Sequence, residues 1–438
     1  MSTSASTEIK INDKKTINGW ALFDWANSAY ALVITTAIFP GYFLQVTDSR
    51  INILGFQLSN SALYAFSISA AYFLIALFSP LLSGIADYGG KRKFFLRFFT
   101  TLGSLACISL FWFQGMGQLT LGILAFILAT IGFAGGLVFY NSYLPLIASK
   151  ERLDTVSAKG FAYGYVGSVI LLITNLIIIM NPGWFGISQD SVAVRIAFVM
   201  VGLWWFGFAQ ITFKRLPNDR RKTIHQNNIV QKGYQELLHV WQQLKGQFNT
   251  KRFLLAFFCY SAGAQTVIFL AATFAEKELQ FATEKMILLV LILQIVAIGG
   301  AYLFAKISDR KGNKFSLSII LVIWTFICFT AYFVHGDLQF YILAAFVGLV
   351  MGGVQSMSRS TYSKLLPTET KDTTSYFSFY DVLEKVAIIV GTFSFGFIEQ
   401  LTGGMRNSVL TLAIFFLVGI LILSKITVEP ARIKDLSD

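Results

Sequence analysis

Long apolar runs recur from one end of this chain to the other, and they limit its fold more than any other feature. A helix that crosses a bilayer needs about 20 mostly apolar residues. Candidate spans lie at 20–44, 61–83, 98–116, 118–148, 160–181 and 193–213, then at 253–276, 286–305, 315–335, 338–363, 375–400 and 407–424. Only 13% of the 438 residues are charged. A soluble globular chain carries roughly a quarter, so most of this surface does not face water. A span and its loop take roughly 35 residues, and twelve of them leave no room for a soluble domain of ordinary size. The expected fold is an all-α membrane protein of twelve transmembrane helices.

Composition breaks once, in a polar stretch of about forty residues after the sixth span. The expected organisation is therefore an N-terminal six-helix bundle (1–213), a central loop (214–252) and a C-terminal six-helix bundle (253–438). Of the 35 Lys and Arg, 28 fall in the N-terminus, the even-to-odd loops, the central loop and the C-terminus. Arg50, Arg195, Lys277, Lys285 and Arg406 lie in or beside the opposite loops, and Arg359 and Lys385 lie within spans. The positive-inside rule then places both termini and the central loop in the cytoplasm, which requires an even number of spans. In a bacterium the membrane would be the inner one. The formal charge of +12 is explained by this topology, and nucleic acid is not expected as a partner. Cys107, Cys259 and Cys328 fall inside apolar runs and read as packing residues. Residues 1–18 are polar and of mixed charge, unlike a cleaved signal peptide.

Within the central loop, Val230, Tyr234, Leu237, Leu238, Trp241, Leu244 and Phe248 recur at helical spacing among polar residues. This predicts an amphipathic helix, either lying on the membrane face or packed under the bundle without touching lipid.

A short pattern occurs twice. Gly84-Ile85-Ala86-Asp87-Tyr88-Gly89-Gly90-Lys91-Arg92-Lys93 follows the second span, and Lys306-Ile307-Ser308-Asp309-Arg310-Lys311-Gly312-Asn313-Lys314 follows the eighth. Asp87 and Asp309 are 222 positions apart (309 − 87), about half the chain. A repeat in register indicates a duplicated six-helix unit. The chemistry suits a conformational hinge: an Asp that can pair with a base or a helix N-terminus, glycines for a tight turn, and a basic cluster. Asp87, Gly90, Arg92, Asp309 and Gly312 are the candidate gating residues. At this loop the chain resembles the major facilitator superfamily, although Lys306 stands where the second copy would begin with Gly. The resemblance implies two pseudo-symmetric six-helix bundles around a central cavity, with alternating access.

Charged and polar groups inside spans are costly, about 2.5–3.5 kcal/mol per charge on insertion scales, and usually face a cavity or a partner. Span one carries Asp24, Asn27 and Ser28 on one helical face. Span four carries Tyr140 and Asn141, span five Tyr165, span seven Gln265 and Thr266, and span eight Gln294. Gln355 and Arg359 share one face of span ten, beside a stripe of Gly348, Gly352, Ser356 and Ser360 that allows close helix approach. Gly160 and Gly164 have similar packing spacing. Span eleven carries Asp381, Glu384 and Lys385, with Asp381 and Lys385 spaced for an ion pair. Arg359 can pair with Glu384 or Asp24, or meet a substrate.

These segments carry a closer resemblance. Trp20 to Tyr30 looks like the opening span of the autophagy-related vacuolar amino-acid effluxer family and its bacterial relatives. Phe139-Tyr140-Asn141 through Pro145, Gly352 to Pro367, and Phe377 to Lys385 resemble it as well. Two positions depart from that family: Ala262 stands where an acid is common before Gly263, and Thr392 where Pro often follows Gly391. The first removes a candidate coupling carboxylate.

The expected function is a secondary active transporter of a small polar solute, amino acids or related metabolites, working as an exporter. The alternatives are an exporter of hydrophobic or drug-like compounds or lipids, and a nontransporting receptor or scaffold. An enzyme is not expected, because His225, His239 and His335 are dispersed and no phosphate-binding G-x-x-x-x-G-K-[ST] loop is present. No cofactor or metal is expected. The partners are a small-molecule substrate, the lipid bilayer and a coupling proton. The chain encloses its own pseudo-symmetry, so a monomer is expected. The expected substrate or ion path comprises Asp24, Asn27, Ser28, Tyr140, Asn141, Gln265, Gln355, Arg359, Asp381, Glu384 and Lys385. In the resembled superfamily, spans one, four, seven and ten line the cavity. That places Asp24 and Arg359 on opposite halves, where they can hold the ammonium and carboxylate of an amino acid. Asp24 can instead carry the proton.

Overall fold

A computed structural model describes residues 10–53, 56–218, 228–281, 283–367, 370, 372–402 and 404–427. Residues 1–9 of the polar N-terminus, and His225 with its neighbours in 219–227, lie outside them. Among the described residues, eleven helical spans are long and apolar enough to cross a membrane. Spans one to six are Lys14–Val46, Asn60–Gly89, Arg92–Trp112, Met116–Ile147, Lys150–Met180 and Asp190–Arg215. Spans seven to ten are Phe248–Leu279, Thr283–Lys311, Asn313–Phe333 and Asp337–Leu365, and span twelve is Met405–Ser424. Span eleven, Thr373–Thr402, is 30 residues long, and its four charged residues, Asp381, Glu384, Lys385 and Glu399, lower its apolar character. One hydrophobic core gathers side chains from Ile17 to Leu216, and a second gathers mainly those from Val240 to Ile426. These are the centres of two six-helix bundles.

Alternation of the spans brings the 2–3 connection, the 8–9 connection and both ends of the described chain to one side, here termed the motif end. There the amide of Asn12 donates to the Ile147 carbonyl, and Asn249 Nδ2 donates to Thr427 Oγ1.

Span one is not a uniform helix. It is α-helical over Lys14–Ala29, a π-helix over Tyr30–Ile38 and α-helical again over Phe39–Val46. Asp13 caps its start by accepting the Thr16 amide at 2.8 Å. Pro40 has no amide proton to continue the helical ladder. The hydroxyl of Thr36 donates to the carbonyl of Ala31, five residues back. Such π segments are frequent at functional sites.

The all-α expectation misses one detail. Arg50–Ile53 and Phe56–Ser59 form an antiparallel pair, with Arg50 opposite Ser59 and Ile53 opposite Phe56. Ile51, Ile53, Phe56 and Leu58 alternate with polar Asn52 and Gln57, the period of a strand.

The central helix, Ile229–Gly246, has two faces. Val240 and Leu244 are buried, and Gly233 lies close against Gly84 and Ile85 of span two. Val230, Tyr234, Leu238 and Trp241 are exposed. The helix is therefore packed under the bundle along one side and presents an apolar stripe along another. The three cysteines are free, and Cys107 and Cys328 are buried.

Candidate functional site

A cavity of about 270 Å³ lies between the two bundles. Asp24, Asn27, Ser28, Asn141, Gln265, Gln355, Arg359, Glu384 and Lys385 border it. Tyr140 and Asp381 do not; both sit one layer behind it. The π-helical part of span one supplies Ala31, Leu32, Thr35 and Thr36 to the same wall. Aromatic groups complete the lining, among them Phe161, Tyr165, Phe257 and Tyr380.

Asp24 and Arg359 do not stand apart on facing walls. They bond to each other, with Arg359 Nη1 3.2 Å from Asp24 Oδ2. Nη1 also meets Asn141 Oδ1 at 3.2 Å, Nε donates to Ser157 Oγ at 3.0 Å, and Nη2 donates to the Ser157 carbonyl at 2.8 Å. The guanidinium centre lies 4.1 Å from the ring of Phe161 and 4.7 Å from that of Trp20. Arg359 is 2% exposed, so its edge borders the cavity while four of its five N–H donors bond Asp24, Asn141 and Ser157. Asp24 takes a further bond from the hydroxyl of Tyr140 at 2.7 Å. Trp20 stacks on Tyr140 and its Nε1 donates to the Tyr140 carbonyl, which fixes that ring.

Glycine makes this junction possible. A Cβ at Gly160 would lie 2.6 Å from Asp24 Oδ2 and 2.8 Å from Arg359 Nη2. Gly164 lets Ser28 approach in the same way. The span-ten stripe serves a different contact: Gly348 and Gly352 meet the backbone of Leu293 and Ala297 in span eight.

On the far side of the cavity, Lys385 Nζ lies 3.0 Å from Asp381 Oδ1 and 3.2 Å from Glu384 Oε2. Gln265 Nε2 donates to Glu384 Oε1 at 3.1 Å. Tyr165 donates to Gln355 Oε1 and so links span five to span ten.

The two copies of the repeated motif are not equivalent. In the first, Asp87 receives Arg92 Nη2 at 2.9 Å and the amides of Thr374 and Ser375 at 3.3 and 2.7 Å. It thus sits on the N-terminus of span eleven, where a helix favours negative charge. Arg92 Nε also donates to Thr374 Oγ1. Gly90 follows with a φ of 59°, a left-handed turn that suits glycine. In the second copy Asp309 is exposed. The buried acid there is Asp154, at the start of span five. It accepts Ser308 Oγ and Asn313 Nδ2, both at 2.8 Å, and Lys364 Nζ at 2.6 Å. Gly312 turns the chain ahead of Asn313, with a φ of 86°. Asp154, Ser157, Asn313, Lys364 and Thr374 were not among the expected site residues. Together with the Arg359 cluster they bond the two bundles in the half of the spans nearer the motif end.

A sequence profile of the family described as "Vacuole effluxer Atg22 like" matches residues 12–435. The chain is 31% identical over 416 residues to an uncharacterized MFS-type transporter, YxiO, of Bacillus subtilis, covering 94% of this chain and 95% of that one. It is 27% identical to autophagy-related protein 22 of Kluyveromyces lactis, covering 85% of this chain and 81% of that one. Among solved structures, the E. coli fucose:proton symporter FucP superposes with a TM-score of 0.68 over 94% of this chain and 97% of its own, at 14% identity. That likeness is one of fold.

Proposed function

The chain belongs to the Atg22-like vacuole effluxer family of MFS-type transporters, and on that ground we propose that it exports amino acids or closely related polar metabolites by alternating access. It is a transporter of the major facilitator type and not an enzyme. The observation that carries the substrate reading is the cavity. Its volume of about 270 Å³ falls just below the about 300–1,000 Å³ range of pockets for drug-sized ligands. Its wall offers amides, hydroxyls and the partly exposed Glu384 beside aromatic rings, which suits a small solute with a polar head and an apolar side chain. Export is supported by the effluxer description of the family.

The roles follow from the contacts. Asn27, Ser28, Gln265, Gln355 and Glu384 contact the solute. Asp24, Arg359 and Asn141, with Tyr140 behind them, form the floor of the cavity toward the motif end. Asp87 with Arg92, and Asp154 with Lys364, hold the bundles together below that floor, while Gly90 and Gly312 shape the connecting turns. The bonded motif end is one of two alternating states. The distribution of Lys and Arg supports a cytoplasmic motif end.

Thermal unfolding of the purified protein against amino acids, sugars, nucleosides and drug-like cations tests the substrate class. A ligand at a hundred times its Kd stabilises by about 2.7 kcal/mol. Stabilisation by amino acids alone is expected. Stabilisation only by drug-like compounds would replace the reading with its alternative.

A further inference from the structure

We propose that Asp381, Glu384 and Lys385 of span eleven form a one-proton site, in which the proton rests on Asp381 Oδ2 and exchanges with the cavity through Glu384. The first observation is a charge count. Lys385 Nζ contacts both Asp381 Oδ1 and Glu384 Oε2, so two carboxylates share one ammonium. The second concerns one oxygen. Asp381 is 4% exposed, and its Oδ2 is buried without a hydrogen-bond partner. An ionised carboxylate would leave that oxygen without a donor to stabilise its share of the charge. A protonated Oδ2 is neutral, and Lys385 then neutralises Glu384.

Among the described residues, the surroundings supply no second cation. From span two, Tyr72 lies beneath Lys385 Nζ, 5.5 Å from its ring centre. From span seven come Gln265, which donates to Glu384, and Tyr260, whose hydroxyl bonds Ser358. Tyr380 is on the same helix and stacks on Phe257. Arg359 of span ten is bonded to Asp24, and Tyr140 of span four donates to the same acid. Arg406, on span twelve, pairs with Glu278 at the opposite end. The central helix meets span eleven at its first turn, where Gln243 accepts from Tyr376.

Exchange has a path. Glu384 borders the cavity and its side chain is 23% exposed, against 5% for Asp381. Protons reach the site from cavity water through Glu384, the carboxylate of the two that borders the cavity. The ammonium of Lys385 stays in place and shifts its pairing to the carboxylate left charged. Release reverses the order. Asp24, held by Arg359 and Tyr140, is the less available carrier.

The role of this proton in coupling rests on the transporter reading, but its presence does not. Infrared absorption of the purified protein near neutral pH counts protonated carboxyl groups, because exposed carboxylates are ionised there. A carboxylic-acid band is expected in the wild type. Asp381→Asn and Glu384→Gln should each remove it, since either leaves one carboxylate for one ammonium. Lys385→Met should double it. A wild type with no such band, or a band that survives both single substitutions, would overturn the proposal whatever the substrate is. If the band behaves as expected but amino acids neither bind nor exchange, the substrate reading fails and the proton site stands.

Discussion

Arg359 and Asp24, 335 positions apart in the chain, meet at 3.2 Å across the two bundles, and each is 3% or less exposed. Removing one partner of such a pair strands a buried charge and costs about 3–5 kcal/mol. The two single variants should differ in their response to pH. Arg359→Gln leaves a carboxyl that can neutralise itself by taking a proton, so its loss of stability should shrink between about pH 8 and about pH 5. Asp24→Asn leaves a guanidinium that cannot lose its proton, so its loss should stay constant. Denaturation midpoints of both variants over that pH range check the contrast.

Gly160→Ala should destabilise by about 1–3 kcal/mol, the usual cost of overpacking, because its methyl would press on both members of the pair. Gly207→Ala in span six is the control. Nothing lies within 4 Å of the added Cβ there, and alanine favours the helix by about 0.5–1 kcal/mol. Thermal midpoints that fall for the first and hold or rise for the second are expected. Equal falls would mean that Gly160 does not define the junction.

Asp87→Asn should slow transport more than it weakens binding. Its carboxylate sits on the N-terminus of span eleven, away from the cavity, and such a contact contributes about 0.3–1 kcal/mol, up to about 2 when partly buried. Equilibrium affinity and flux measured on the same preparation separate the effects. A loss confined to affinity would remove Asp87 from the gate.

Cysteines introduced at Asn228 and Gly336 should label from opposite sides of the membrane. Asn228 precedes the central helix and Gly336 precedes span ten. Labelling from one side would contradict the alternation of the spans.

The spans themselves were legible, because each is an apolar run of membrane length. Their ends were less so. Span five begins at Lys150, with its α-helix from Leu153, and not near 160, since Asp154 and Lys159 look like loop residues in a hydropathy reading. That misplacement hides Asp154 and Ser157, and Lys364 reads only as a basic loop residue. The Asp381–Lys385 pair could be read from its i, i+4 spacing. The Asp24–Arg359 pair is open in the sequence only as one option beside Glu384 or a substrate, because no local spacing connects residues in different bundles. The paired strands at 50–59 leave little trace in the sequence, because two strands of four residues make a weak pattern beside twelve helices.

Counterflow in proteoliposomes examines amino-acid transport itself. Vesicles loaded with an unlabelled amino acid should transiently accumulate the labelled one when they contain the wild-type protein. Protein-free vesicles and vesicles with Arg359→Ala should not. Exchange of amino acids, with none of sugars or nucleosides, is the result that alternating access at this cavity predicts. Exchange of sugars, nucleosides or drug-like cations with no exchange of any amino acid would contradict it.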